Sequence, residues 1–193
     1  MKSVSVFCGS SEGYNEVYRE AAYELGATLA EQNITVVYGG AKVGLMGALA
    51  DGVLQHNGKI IGVIPTFLKT KEVVHDSLTE LIVVDTMHER KIKMHELSQG
   101  VITMPGAWGT MDELFEMLTW GQLGLHTKPI GLLSINGYYD ALKAFFDNMV
   151  TEGFLNECVN ATLLYSGSVA DILDQMNNYS APEIPQIITK QTT

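Results

Sequence analysis

The sequence predicts an α/β fold of the doubly wound kind, a mostly parallel sheet covered by helices on both faces, in a single domain. Three observations predict it. Short apolar, β-branched runs recur along the 193 residues; helical periodicities separate them; and small-residue turns follow several of the runs. Strands buried on both faces read as continuous apolar runs rather than as alternating ones, and these do.

The elements follow in order. Ser3–Cys8 (SVSVFC) is the first strand, with Gly9–Gly13 as the turn behind it. From about Asn15 to Gln32, the residues Val17, Ala21, Leu25 and Leu29 share one helical face. Ile34–Tyr38 (ITVVY) is the second strand, and Gly39–Gly47 leads into a helix ending near His56. Lys59–Ile64, closed by Pro65, is the third. Leu81–Val84, Gly100–Met104 and Ile130–Ile135 continue the strands, with helices at Met87–Ser98, Thr110–Leu123 and Tyr138–Thr151. Thr162–Tyr165 and Val169–Asn177 supply the last strand and helix, so the domain is expected over residues 1–180. From Ala181 the chain carries Pro182 and Pro185 and no apolar period, which predicts a loosely held tail over 181–193.

Composition narrows the function. The net charge is −10, from 22 acidic and 12 basic residues, the wrong balance for neutralising a nucleic-acid backbone. A small phosphorylated ligand remains open, because backbone N–H groups and a few cations suffice for one. No run approaches the ~18 apolar residues of a membrane span. The N-terminus enters a strand pattern without a signal-like apolar region. Cys8 and Cys158 stand far apart and form no C-x-x-C pair, so neither a zinc site nor a disulfide framework is indicated. A reduced, cytoplasmic setting is the expectation, with no membrane and no nucleic-acid partner.

In open parallel sheets ligands bind beyond the C-terminal strand ends. Three strand–glycine–helix turns lie there: Cys8–Gly13 (CGSSEG), Gly39–Gly47 (GGAKVGLMG) and Pro105–Thr110 (PGAWGT). Glycine lets backbone N–H groups approach an anion, and a helix N-terminus favours it. That makes Gly39, Gly40, Gly44, Gly106 and Gly109 candidate contacts for a phosphate; plain tight turns are the alternative. Gly39 and Gly44 fit G-x-x-x-x-G, but Leu45 and Met46 replace the Lys and Ser/Thr of a P-loop. No G-x-G-x-x-G follows the first strand, so neither ATP hydrolysis nor hydride transfer is favoured.

Two segments carry candidate chemistry. Thr110–Glu113 (TMDE) has the form of a capping box, yet it places Glu113 within a turn of an anion-binding loop. A carboxylate there is suited to activating water or stabilising positive charge on a sugar. Met87–Gln99 (MHERKIKMHELSQ) puts Arg90 and Lys91 beside an apolar stripe, either as cations on a solvated face or as a fork for phosphate or carboxylate. His88 and His95 are seven apart, which is not H-E-x-x-H spacing, and no metal site is read.

MHERK (Met87–Lys91) followed by PGAWGTMDE (Pro105–Glu113) resembles the signature of LOG-type proteins, the cytokinin riboside 5′-monophosphate phosphoribohydrolases. CGSS (Cys8–Ser11), YGGAKVGLMG (Tyr38–Gly47), TWGQLGLHTKPIGLL (Thr119–Leu133) and GYYDAL (Gly137–Leu142) extend the likeness over about residues 3–165. The resemblance implies a Rossmann-like single domain that pairs as a homodimer and uses no cofactor. It implies hydrolysis of the N-glycosidic bond of a purine nucleoside 5′-monophosphate to free base and ribose 5-phosphate. Arg90 and Glu113 match the family's catalytic residues. Its substrate contacts match Glu72, Lys91, the loop of Ala107, Trp108, Gly109 and Thr110 up to Glu113, and Thr119. General AMP nucleosidase activity, and nucleotide binding without hydrolysis, are the alternatives.

One position departs from the family pattern PGGxGTxxE: Ala107 stands at its second glycine. A left-handed conformation there would cost an alanine about 1–2 kcal/mol. A position against the phosphate would narrow the pocket instead.

Overall fold

The computed structural model describes residues 1–69 and 74–182; Glu72 and the tail from residue 183 lie outside the described residues. Seven strands form one parallel sheet: β1 (Ser3–Phe7), β2 (Thr35–Tyr38), β3 (Ile60–Pro65), β4 (Glu80–Val84), β5 (Val101–Thr103), β6 (Ile130–Leu133) and β7 (Leu163–Ser166). Their spatial order is β4-β3-β2-β1-β5-β6-β7. The fold is therefore the doubly wound, Rossmann-like one that the sequence predicts. Winding runs outward from β1 in one direction, then restarts at β5 in the other. The switch point lies between β1 and β5, where Ser5, Val6 and Phe7 pair with Val101, Ile102 and Thr103.

Helices cover both faces. On one, α1 (Val17–Glu31), α2 (Gly44–Gln55) and α8 (Val169–Asn177) pack over Val4, Val6, Val36 and Ile102. On the other, α4 (Met87–Leu97), α5 (Trp108–Gln122) and α6 (Asp140–Thr151) pack over Phe7, Val37, Val63 and Val101. The period of two in β1 sends Val4 and Val6 to the first core, while Ser5 turns to the second and donates to the Met94 carbonyl of α4 at 2.9 Å.

Two short helices escape the sequence reading, α3 (Thr66–Lys69) and α7 (Glu157–Asn160). Four residues are too few to display a helical period. The strand expected over Ile130–Ile135 ends at Leu133, and a 3-10 turn, Ile135–Gly137, follows it. Among the described residues no helix is long and apolar enough to cross a membrane.

Candidate active site

A cleft of about 320 Å³ opens at the switch point. Cys8–Gly13 behind β1, Gly39 behind β2 and Pro105–Thr110 behind β5 all contribute to its wall. Convergence of the loops is a consequence of strand order, since β1, β2 and β5 are consecutive neighbours whose chains leave the sheet at the same edge.

Arg90 and Glu113 meet in this cleft. Arg90 sits in the first turn of α4 and Glu113 in the second turn of α5; both are buried, and Nη1 lies 3.7 Å from Oε1. That distance is an ion pair but too long for a hydrogen bond. The guanidinium is anchored elsewhere, with Nε donating to the Val63 carbonyl at 3.0 Å. Gly39 makes room for it, because a Cβ there would stand 2.3 Å from Nη2. Burial raises the Glu113 carboxyl to about 7; Arg90 pulls it down and Asp112 adds to the rise. Burial also pushes up the Cys8 thiol, which lines the same cleft. The solvated-face reading of MHERK fails on both cations: Arg90 is buried, and the Lys91 side chain is only 12% exposed.

The capping box expected at Thr110–Glu113 does not form. Helix α5 starts earlier, with Ala107 at its N-cap and no side chain capping it, and the Ala107 carbonyl accepts from Met111 at 3.0 Å. Thr110 is instead buried in the first turn, where its Oγ1 would be 2.1 Å from any Cβ on Gly106. In the equivalent T-x-x-E one motif upstream the threonine does cap: Thr86 Oγ1 accepts from Glu89 N–H at 3.1 Å, and Glu89 Oε2 reaches one residue past the cap to accept from Asp85 N–H at 3.0 Å. Glu113 is thereby left without capping work. Ala107 has φ −109°, an unstrained value for alanine, so this departure carries no left-handed cost.

The remaining predicted residues divide. Gly106, Ala107, Gly109 and Thr110 line the cleft with Gly39. Gly40 (φ +82°) packs towards Leu81 and Gly62, and Gly44 (φ +59°) opens α2 pressed on the Ser10–Ser11 backbone. Trp108 is 89% exposed outside the wall. Thr119 lies far along α5, its hydroxyl donating to the Phe115 carbonyl at 2.7 Å. Lys91 turns from the cleft to Asp112 and Glu116, at 3.1 and 2.9 Å. Sequence reasoning missed Tyr18, Met46, Met87 and Tyr138 as cleft residues. Tyr138, Met46 and Met87 carried a signal, through GYYDAL, YGGAKVGLMG and MHERK; Tyr18 carried none.

Comparison with known proteins shows the family. The family described as "Possible lysine decarboxylase" matches residues 46–176. The chain is 39% identical to the cytokinin riboside 5′-monophosphate phosphoribohydrolase LOG2 of Arabidopsis thaliana, over 98% of this chain and 88% of that one. It is 47% identical to the probable cytokinin riboside 5′-monophosphate phosphoribohydrolase LOGL9 of Oryza sativa subsp. japonica, over 80% and 68%. The chain belongs to the LOG family. MHERK and PGAWGTMDE, the segments on which the sequence resemblance rests, are the ones whose Arg90 and Glu113 meet in the cleft. The LOG fold extends to more distant chains. The molybdenum cofactor binding protein from the phototrophic bacterium Rippkaea orientalis superposes with a TM-score of 0.71 at 22% identity, covering 91% of this chain and 95% of that one.

Proposed function

We propose that the protein is a phosphoribohydrolase that cleaves the N-glycosidic bond of N6-substituted adenine riboside 5′-monophosphates, releasing the base and ribose 5-phosphate. The observation that carries this reading is the loose, buried Arg90–Glu113 pair at the switch-point cleft. The family relationship to phosphoribohydrolases supports it.

The first turn of α5 receives the 5′-phosphate. Among the described residues no side chain caps that helix, and nothing lies within 4 Å of where a Cβ on Gly109 would stand. Its free N–H groups and positive dipole end then face an anion. Helix α2 is less suited, because Leu45 N–H already donates to the Gly9 carbonyl at 3.1 Å. With the phosphate at Gly106–Thr110, Glu113 one turn on faces the sugar. As the base leaves, C1′ gains oxocarbenium character; the Glu113 carboxylate stabilises it and takes a proton from the attacking water. Arg90 holds that carboxylate ionised and in place. A cytoplasmic homodimer belongs to the same reading. Exposed Phe115, Leu125 and Phe145 on and beside α5 and α6 support the dimer, and two free cysteines support the reducing compartment.

The test is incubation of the purified protein with isopentenyladenosine 5′-monophosphate and with AMP, following free base by chromatography. The reading expects base and ribose 5-phosphate in equal amounts, faster from the substituted nucleotide. Preference for AMP would make it a general AMP nucleosidase; nucleotide binding with no base released would leave a binding module.

A further inference from the structure

Two adjacent phenols reach back from the β6–α6 connection onto the loop that starts α5. Tyr138 donates to the Gly106 carbonyl at 2.7 Å, and Tyr139 donates to the Met104 carbonyl at 2.8 Å. The turn before them is shaped for this delivery. Asn136 and Gly137 both take left-handed φ, 51° and 71°, and Tyr139 N–H is held by Ser134 Oγ at 2.9 Å. The Tyr138 ring is fixed edge-on between Tyr18 and Tyr139, with centroids 5.8 and 4.8 Å away. A ring held on two sides aims its hydroxyl with little rotamer freedom left to lose.

The two bonds have different settings. Tyr139 is 3% exposed and belongs to the core, whereas Tyr138 is 45% exposed and lines the cleft. The Gly106 carbonyl shares its peptide with the Ala107 N–H, at the very start of α5. Across a trans peptide the two groups point in opposite directions, so holding one fixes the other. Gly106 has no side chain by which packing could hold this peptide, and its neighbours Ala107 and Trp108 are exposed. The phenol is the external hold.

We propose that Tyr138 is a positioning residue for the anion loop, fixing the Gly106–Ala107 peptide so that the first N–H groups of α5 face the 5′-phosphate. This rests on the phosphoribohydrolase reading. Tyr139 is the contrast: it ties β5 to α6 and meets the Gly106 N–H, which belongs to the preceding peptide, so the Gly106–Ala107 peptide is left to Tyr138.

Tyr138→Phe keeps the ring and its edge contacts and removes only the hydroxyl. Calorimetric titration with ribose 5-phosphate should show binding weakened about five- to tenfold, the effect of one hydrogen bond. Affinity for free adenine and Tm should stay near wild-type. With isopentenyladenosine 5′-monophosphate, KM should rise by the same factor and kcat hold within about twofold. Tyr139→Phe should do the reverse, lowering Tm while ribose 5-phosphate affinity is kept. Unchanged ribose 5-phosphate affinity in Tyr138→Phe overturns the proposal, as do equal losses in the two variants or an equal loss of adenine affinity. Wild-type protein that binds no ribose 5-phosphate overturns it as well. Because that binding is measured without turnover, a failure to hydrolyse nucleotide sinks the catalytic reading and leaves this result standing.

Discussion

Arg90 and Lys91 are neighbours on α4, and both face carboxylates of α5, yet their ion pairs differ in kind. Lys91 closes on Glu116 and Asp112 at 2.9 and 3.1 Å. Burial works to lower the Lys91 ammonium, and the contacts with Glu116 and Asp112 outweigh it, so its pKa rises. Arg90 stays 3.7 Å from Glu113, although that pair is the more deeply buried. The difference lies in prior commitments. Among the described residues Lys91 meets only those two carboxylates, while Arg90 spends Nε on the β3 backbone at Val63 and is held back by it. A closed pair fastens two helices; an open pair leaves a carboxylate whose charge is free to act on something placed against it.

The largest expected effect breaks the open pair. Glu113→Gln keeps the shape and removes the charge, and base release should fall by about 10³-fold in protein with a native circular dichroism spectrum. Near wild-type turnover would transfer the chemistry to another group. Next comes Arg90→Met. Glu113 must be ionised to act, so kcat/KM of the wild type should climb with pH and level off above about 7. Arg90 lowers that value, so its removal should move the rising limb to higher pH and cost about 10²-fold at neutrality. The substrate's own phosphate ionisation is common to both proteins, so the displacement between the two profiles belongs to Glu113. A limb that stays in place would uncouple the two residues.

The open pair also has a stability signature. The Glu113 carboxyl is raised from 4.5 to about 7 on folding. Below about pH 4.5 it is protonated in both states and costs nothing; the cost grows from there to about 7 and is complete above it. Glu113→Gln should therefore gain on the wild type as pH rises through that window, by at most on the order of 3 kcal/mol. Urea melts at pH 4.5 and 8 check the direction. A difference that does not change with pH would mean that the folded carboxyl titrates normally.

How much of this contrast was legible in the sequence depends on how far each contact reaches. Strand and helix order followed from local period, and the glycine turns could be placed on the right edge by the strand-end rule. Gly39 was legible as a turn, but its reason, space for a guanidinium from a helix 51 positions later, was not. Arg90 and Lys91 look alike in MHERK; which of them faces the cleft depends on how α4 rolls against α5, a tertiary choice. T-x-x-E stands before a helix at Thr86 and again at Thr110, and only Thr86 caps its helix, because the backbone after Pro105 enters α5 three residues sooner than the motif suggests. Tyr138 reaches Gly106 across 32 residues, and no local pattern encodes that.

The smallest effect tests the closed pair. Glu116→Gln removes one carboxylate from Lys91 and leaves Asp112, which is 61% exposed and screened by solvent. The Glu116 side chain is 20% exposed, so its contribution exceeds that of a surface pair without reaching that of a fully buried one. The expected cost is about 1 kcal/mol, or about 2–4 °C in Tm for a chain of this size. Glu116 is the weakest of the charges acting on Glu113 and raises it, so the rising limb of the pH–rate profile should move only slightly, and to lower pH. A double-mutant cycle with Lys91→Met isolates the pair. A coupling energy near zero, or a shift of the pH limb as large as that of Arg90→Met, would erase the distinction between a pair that fastens and a pair that waits.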